Sequence, residues 1–310
     1  MQRIAAIDMG TNSFHLIIVE VNSDGSLKLL HRQREIIRLG SHKGEDLSVI
    51  SDGEIEKAID ILSNFRTMSD HYQSELYAVA TSAVREAQNR NEFLVRIFDS
   101  VGINVSVVNG RTEAELIYLG IQHSLPVSEK KVLCIDIGGG STEIILADKG
   151  KIVFAESIKI GAVRLSKMFF PDYILKSRAV KDCKFYIKQA LDKNINLDFA
   201  QTFDFVVGTS GTINSVASLV NSRLNGKKYK INNGFKFSYL DFRSVLSDVL
   251  EAKTPADRIS IPGMELKRAD IIPAGLLILR RIMKSFDIKE ITISEYALRE
   301  GIIFNILRNR

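Results

Sequence analysis

The chain repeats itself. Ile4–Val19, IAAIDMGTNSFHLIIV, aligns with Val132–Ala147, VLCIDIGGGSTEIILA, so that Asp8 falls on Asp136, Gly10 on Gly138 and Ser13 on Ser141, an offset of 128 positions. At the same ungapped offset the segment Ala78-Val-Ala-Thr81-Ser82-Ala-Val falls on Val206-Val-Gly-Thr209-Ser210-Gly-Thr212. A third match, Thr112-Glu113-Ala-Glu-Leu116 with Ser294-Glu295-Tyr-Ala-Leu298, needs a displacement of 182. A duplicated unit of this size means two similar lobes, the second enlarged by a segment between roughly residues 222 and 275.

Each half has a readable order. Residues 4–8 and 14–21 are apolar and β-branched around a polar turn, which is a hairpin pattern. A third strand follows near 27–31, then a helix over 54–71 with Ile55, Ala58, Ile59, Leu62 and Phe65 on one face and a Ser51/Glu54 capping box before it. A strand at 76–80, a helix near 82–98, a strand at 103–108 and a helix from 113 complete the first half. The second half gives strands at 132–136, 142–148 and 151–160, helix over 164–192, a strand at 203–208 and a helix from 211. Its added segment reads as mostly helical, including 268–286, before a strand at 290–294 and a last helix. Each half is therefore βββαβαβα, a mixed sheet with helices on its faces. The first lobe is expected over 1–124 plus a C-terminal helix of about 296–310, and the second over 125–295 with a helical insertion at about 222–286.

Bulk properties narrow the function classes. The 310 residues carry a formal charge of +5, a mild excess that suits an anionic ligand. Basic pairs at Lys130-Lys131, Lys227-Lys228 and Arg280-Arg281 read mainly as solvated surface. No apolar run reaches the ~18 residues of a membrane span, and the N-terminus reads straight into a strand without a signal-peptide pattern. Cys134 and Cys183 form neither a disulfide framework nor a metal spacing, which points to reduced thiols in the cytoplasm. Trp is absent and the aromatics form no periodic platform, so nucleic-acid binding by stacking has no support. The apolar 271–283 stretch can pack within its lobe or against a second copy, which leaves a homodimer open.

The chemistry concentrates in the repeated turns. Asp-x-Gly followed by Thr11, Asn12 and Ser13, and again by Gly139, Gly140, Ser141 and Thr142 after Gly138, gives close backbone approach and exposed N–H groups for a phosphate. The strand-to-helix turns Thr81-Ser82 and Gly208-Thr209-Ser210-Gly211-Thr212 add helix N-termini, where capping is the plainer role. Asp136 and Glu143 flank the glycine turn as hard oxygen ligands for Mg²⁺ or another divalent cation; the first half has Asp8 and His15 there. Thr112 and Glu115 fit a capping box that puts Glu113 in a first helical turn, where an acid complements the dipole and a catalytic role stays open. Arg85 and Arg268 are possible phosphate forks, Arg268 more simply a surface ion pair opening the long helix. None of the five histidines makes a metal spacing.

Together AAIDMGTNSFHL, ATSAVREA, NGRTEAELIYLG, CIDIGGGSTEIIL, GTSGT, RADIIPAG and SEYALREG resemble the exopolyphosphatase and guanosine pentaphosphate phosphohydrolase family (Ppx/GppA), in its short two-domain form. That resemblance implies two duplicated actin-like, ribonuclease H-like α/β lobes with an interdomain cleft, within the actin, sugar-kinase and Hsp70 ATPase superfamily. It implies Glu113 as catalytic base, acids at Asp136 and Glu143, glycine loops at Gly138–Gly140 and Gly208–Thr212, and an arginine at Arg85. The implied ligands are polyphosphate or guanosine penta- and tetraphosphate. Many members read Glu-Glu-Ala where this chain has Thr112-Glu113-Ala114, so one neighbouring acid is lost. An ATP-dependent small-molecule kinase and a non-catalytic nucleotide sensor of the same superfamily are the alternatives.

Overall fold

Antiparallel hairpins open both halves of the molecule. The computed structural model describes residues 2–40, 48–195, 203–226 and 231–310. These group into two compact units, Met1–Gly120 with Leu298–Arg310, and Ile121–Ala297.

In the first unit β1 (Gln2–Met9) pairs antiparallel with β2 (Ser13–Val21), which pairs with β3 (Leu27–Ile36). Parallel β4 (Glu75–Ala80) and β5 (Val105–Val107) complete the order β3-β2-β1-β4-β5. Period-2 alternation divides the hairpin. Ala5, Ile7, Met9, Phe14, Leu16 and Ile18 face a core with Ile55, Ala58, Leu62 and Phe65 of α1 (Asp52–His71) and Phe93 and Ile97 of α3 (Arg90–Val101). The expected capping box is present: Glu54 N–H donates to Ser51 Oγ at 3.3 Å, and Ser51 N–H donates to Glu54 Oε2 at 3.0 Å. The last helix, α11 (Leu298–Arg308), packs against β1 and β2.

The helix expected near 82–98 is two helices, α2 (Ser82–Glu86) and α3. Asn89 explains the break, because its side chain accepts from Ile50 N–H at 3.0 Å and donates to Ile50 O at 2.7 Å. Helix α4 (Gly110–Gln122) starts three residues before Glu113. Its cap is Asn109, whose Oδ1 accepts from Thr112 N–H at 2.9 Å, and not the expected Thr112/Glu115 box.

The second unit repeats the sheet and adds one strand. Its strands are β6 (Lys131–Ile137), β7 (Thr142–Asp148), β8 (Lys151–Ile158), β9 (Phe205–Thr209), β10 (Lys236–Ser238) and β11 (Glu290–Ile293), in the order β10-β11-β9-β6-β7-β8. Five of them reproduce the first sheet. The sixth, β10, lies in the segment expected to be mostly helical and pairs antiparallel with β11. The helix expected over 164–192 is α5 (Ala162–Phe169) and α6 (Ser177–Asn194), broken around Pro171, which lacks a donor and disfavours helix at Phe170. Helices α7 (Ser210–Asn225), α8 (Tyr239–Glu251) and α9 (Pro255–Ile259), a 3₁₀ turn (Leu266–Arg268) and α10 (Ile272–Ser285) follow. Helix α10 carries the apolar 271–283 stretch, and its Leu276, Ile278, Leu279 and Ile282 are buried in this unit's own core. The pair Lys227-Lys228 lies outside the described residues. Among the described residues no helix is long and apolar enough to cross a membrane.

Candidate active site

The two hairpin turns have the same frame. Gly10 N–H donates to Ser13 O at 3.2 Å, and Gly138 N–H donates to Ser141 O at 3.0 Å. Strand register sets Asp8 opposite His15 and Asp136 opposite Glu143, so each pair shares a sheet face at the base of its turn.

The side chains then diverge. In the first turn Thr11 Oγ1 and both polar atoms of the Asn12 amide are buried with no hydrogen-bond partner among the described residues. Leaving a buried amide unpaired costs about 1–3 kcal/mol, which marks this turn as a candidate ligand-binding site. Asn12 is held from behind, its carbonyl accepting from Ile37 and Arg38 N–H, both at 3.1 Å. In the second turn the hydroxyls are used internally. Ser141 Oγ and Ser157 Oγ each donate to Glu143 Oε1 at 2.7 Å, and Thr142 Oγ1 donates to Ile160 O at 2.6 Å.

The glycine run is fixed by the start of α5. Gly138 O accepts from Ala162 N–H, Gly139 O accepts from Val163 and Arg164 N–H, and Gly140 O accepts from Arg164 Nε–H at 2.8 Å. A trans peptide sends its N–H opposite to its carbonyl, so the N–H groups of Gly139, Gly140 and Ser141 point away from α5. The backbone, not the hydroxyls, is what this turn can offer an anion. Gly161 makes the contact possible, since a Cβ there would lie 2.3 Å from Gly139 O. Sequence reading missed Arg164.

Ser210 and Arg268 define the second strand-to-helix turn. Ser210 has φ of 76°, in the left-handed region, and its hydroxyl ties to β6 by accepting from Ile137 N–H at 3.1 Å and donating to Ile137 O at 2.7 Å. Thr212 is buried against Gly275. Arg268 is not the surface ion pair expected. It is buried, precedes α10 in the 3₁₀ turn, and lies on Gly211 so closely that a Cβ there would be 1.7 Å from Nη2. Its ion pair with Glu265, at 3.5 Å, is local.

Glu113 and Arg85 meet within the first unit. Arg85 Nη1 donates to Glu113 Oε2 at 2.6 Å and to Val108 O at 3.1 Å. The Glu113 side chain is 7% exposed and that of Arg85 19%, so the pair is shielded yet reachable. Sequence reading named both residues but did not join them.

Asp136 and Glu143 form an all-oxygen donor pair. Among the described residues no group of three or more His, Cys, Asp or Glu gathers as a complete metal cage. A pair of carboxylates is the kind of hard-oxygen donor set that suits Mg²⁺.

Known proteins resemble this chain over most of its length. A protein of Haemophilus influenzae assigned as an exopolyphosphatase is 31% identical over 100% of this chain and 93% of its own length. A guanosine-5'-triphosphate,3'-diphosphate pyrophosphatase of Vibrio parahaemolyticus is 31% identical over 98% of this chain, which spans 59% of that relative's length. The crystal structure of an exopolyphosphatase from Cytophaga hutchinsonii superposes with a TM-score of 0.90 at 30% identity, covering 99% of this chain and 98% of that one. The Aquifex aeolicus Ppx/GppA family member superposes with a TM-score of 0.81 at 28% identity, covering 100% and 99%. The Ppx/GppA phosphatase family model matches residues 17–310, and with its two repeated α/β units the chain belongs to that family.

Proposed function

We propose that this chain hydrolyses a terminal phosphoanhydride, releasing phosphate from inorganic polyphosphate, guanosine pentaphosphate or both. The observation that carries the reading is the shielded Arg85–Glu113 pair, a carboxylate fixed through Oε2 at 2.6 Å in the first turn of α4. Family membership supports it, through relatives named for these two activities.

Glu113 takes a proton from the attacking water, and Arg85 fixes the direction of the carboxylate through Oε2. Thr11, Asn12 and Ser13 bind phosphate oxygens by side chain. Gly138, Gly139, Gly140, Ser141 and Thr142 bind by backbone, as do Ser210, Gly211 and Thr212 at the start of α7. Asp136 and Glu143 hold a divalent cation, for which Mg²⁺ is our choice; when bound it neutralises charge on the phosphoryl oxygens. The protein's share is positioning and electrostatics rather than covalent chemistry.

The test compares phosphate release from long polyphosphate, short polyphosphate and guanosine pentaphosphate, with Mg²⁺ and with chelator. Glu113→Gln is expected to keep substrate binding and lower turnover by ~100-fold or more, the scale of a general base. Unchanged turnover removes Glu113 from the reaction, and release from none of the three substrates removes the activity.

A further inference from the structure

The duplication gives two versions of one hydrogen bond, a turn serine held by the residue two positions on. In the second unit Ser141 Oγ donates to Glu143 Oε1 at 2.7 Å. In the first unit Ser13 Oγ lies 2.9 Å from His15 Nε2. A carboxylate can only accept, so the Ser141 hydroxyl hydrogen is committed to Glu143. An imidazole nitrogen can accept or donate, and the tautomer decides.

Arg299 bears on that choice. Its Nη1 lies 3.5 Å from His15 Nδ1, and a guanidinium has hydrogens but no lone pair to offer. A hydrogen bond there needs a bare Nδ1, and a neutral ring then carries its hydrogen on Nε2. Arg34 on β3 is the strand partner of His15 and adds positive charge against a doubly protonated ring. Asp8 on β1 is the partner on the other side, and its negative charge favours a proton on the ring. Arg32 and Glu300 lie further out; Glu300 Oε1 is 3.7 Å from Arg299 Nη2 and 3.8 Å from Arg32 Nη2.

We propose that His15 is a positioning residue that sets the polarity of the Ser13 hydroxyl. Nε2–H donates to Ser13 Oγ, and the Ser13 proton is thereby turned outward to donate to a phosphate oxygen. The two turns then differ in sign: Ser13 presents hydrogen to an anion, whereas Ser141 presents lone pairs. This rests on the reading of Ser13 as a phosphate ligand.

The first test is spectroscopic and needs no variant. The ring-nitrogen chemical shifts of His15 in the ligand-free protein should show Nε2–H and a bare Nδ1. A proton on Nδ1, alone or together with Nε2–H, overturns the proposal. The second test measures the Kd of inorganic tripolyphosphate with Mg²⁺ present, in a Glu113→Gln background so that the probe persists. Gln and Asn can donate to Ser13, whereas Glu recreates the second unit's acceptor. His15→Gln or His15→Asn should bind within about threefold of the parent, and His15→Glu about tenfold to 100-fold more weakly, the range of a hydrogen bond to a charged group. Adding Ser13→Ala should shrink the Glu-to-Gln difference to about threefold, the sign of direct coupling. A difference that survives Ser13→Ala is a charge effect and overturns the proposal, as does equal binding by His15→Gln and His15→Glu. If Ser13→Ala alone leaves Kd unchanged, the phosphate role of Ser13 fails, and this inference with it. Melting temperatures establish that each variant is folded.

Discussion

Ser210 shows how a single residue can hold strain in place. Its φ of 76° suits glycine, but its hydroxyl makes two bonds to Ile137 that glycine lacks. Ser210→Ala keeps the strain and loses the bonds, so it should lower stability by about 2 kcal/mol, and Ser210→Gly by less. Urea unfolding of the two variants checks this order, which reverses the usual preference for alanine over glycine. The cysteines make a second test. Cys134 and Cys183 are free and buried, and burial pushes the Cys183 thiol up to about 12 and that of Cys134 higher still. Because the thiolate is the reactive form, neither should react with a thiol reagent near pH 8 until denaturant is added, when both should react. Residue types in the turns were legible because the repeat exposed them. Which hydroxyls are already committed was not, because Ile160 for Thr142 and Ile137 for Ser210 are distant partners that no local pattern announces.

At the scale of elements, close packing sets the tolerances. A Cβ on Gly301 of α11 would lie 1.8 Å from Leu116 O of α4, a backbone atom that cannot swing aside. Gly301→Ala should therefore destabilise by roughly 2–3 kcal/mol or more, seen as a lower urea midpoint, although alanine favours helix. Arg258 joins the parts of the second unit's insertion. Its fully buried guanidinium donates to the carbonyls of Ala252, Lys253, Ala269 and Tyr173. Arg258→Met leaves these acceptors without their donor and should cost roughly 3 kcal/mol or more, read by the same unfolding curve. Most elements could be read from periodicity and capping, including α1 with its Ser51/Glu54 box. Errors arose where tertiary bonds override local pattern. Asn89 breaks a helix by reaching Ile50 and β10 forms along the edge of β11, whereas the cap at Asn109 is a local alternative three positions before Thr112.

For the whole molecule, acid should be destabilising. Lys28, and then Arg3, hold Glu20 below its ordinary value of 4.5, and Lys176 holds Asp172 below its ordinary 3.8. The Thr254 amide and hydroxyl do the same for Asp257. These folded-state values are depressed, so the unfolded chain binds more protons as pH falls. The stabilisation is full above the ordinary carboxylate range and is lost as pH drops through the depressed values. A lower urea midpoint at about pH 3.5 than at about pH 7 is expected; the opposite order would contradict it.

One further consequence follows from how the chain is divided. The first unit is made of Met1–Gly120 and Leu298–Arg310, with the whole of the second unit encoded between them. On a ribosome, domains usually mature from the N-terminus onward. Here the beginning of the chain waits for its own final helix while the middle can finish ahead of it. The stretch of β1 and β2 that α11 covers stays open throughout that interval, and a nascent chain interrupted before residue 298 is left with it exposed.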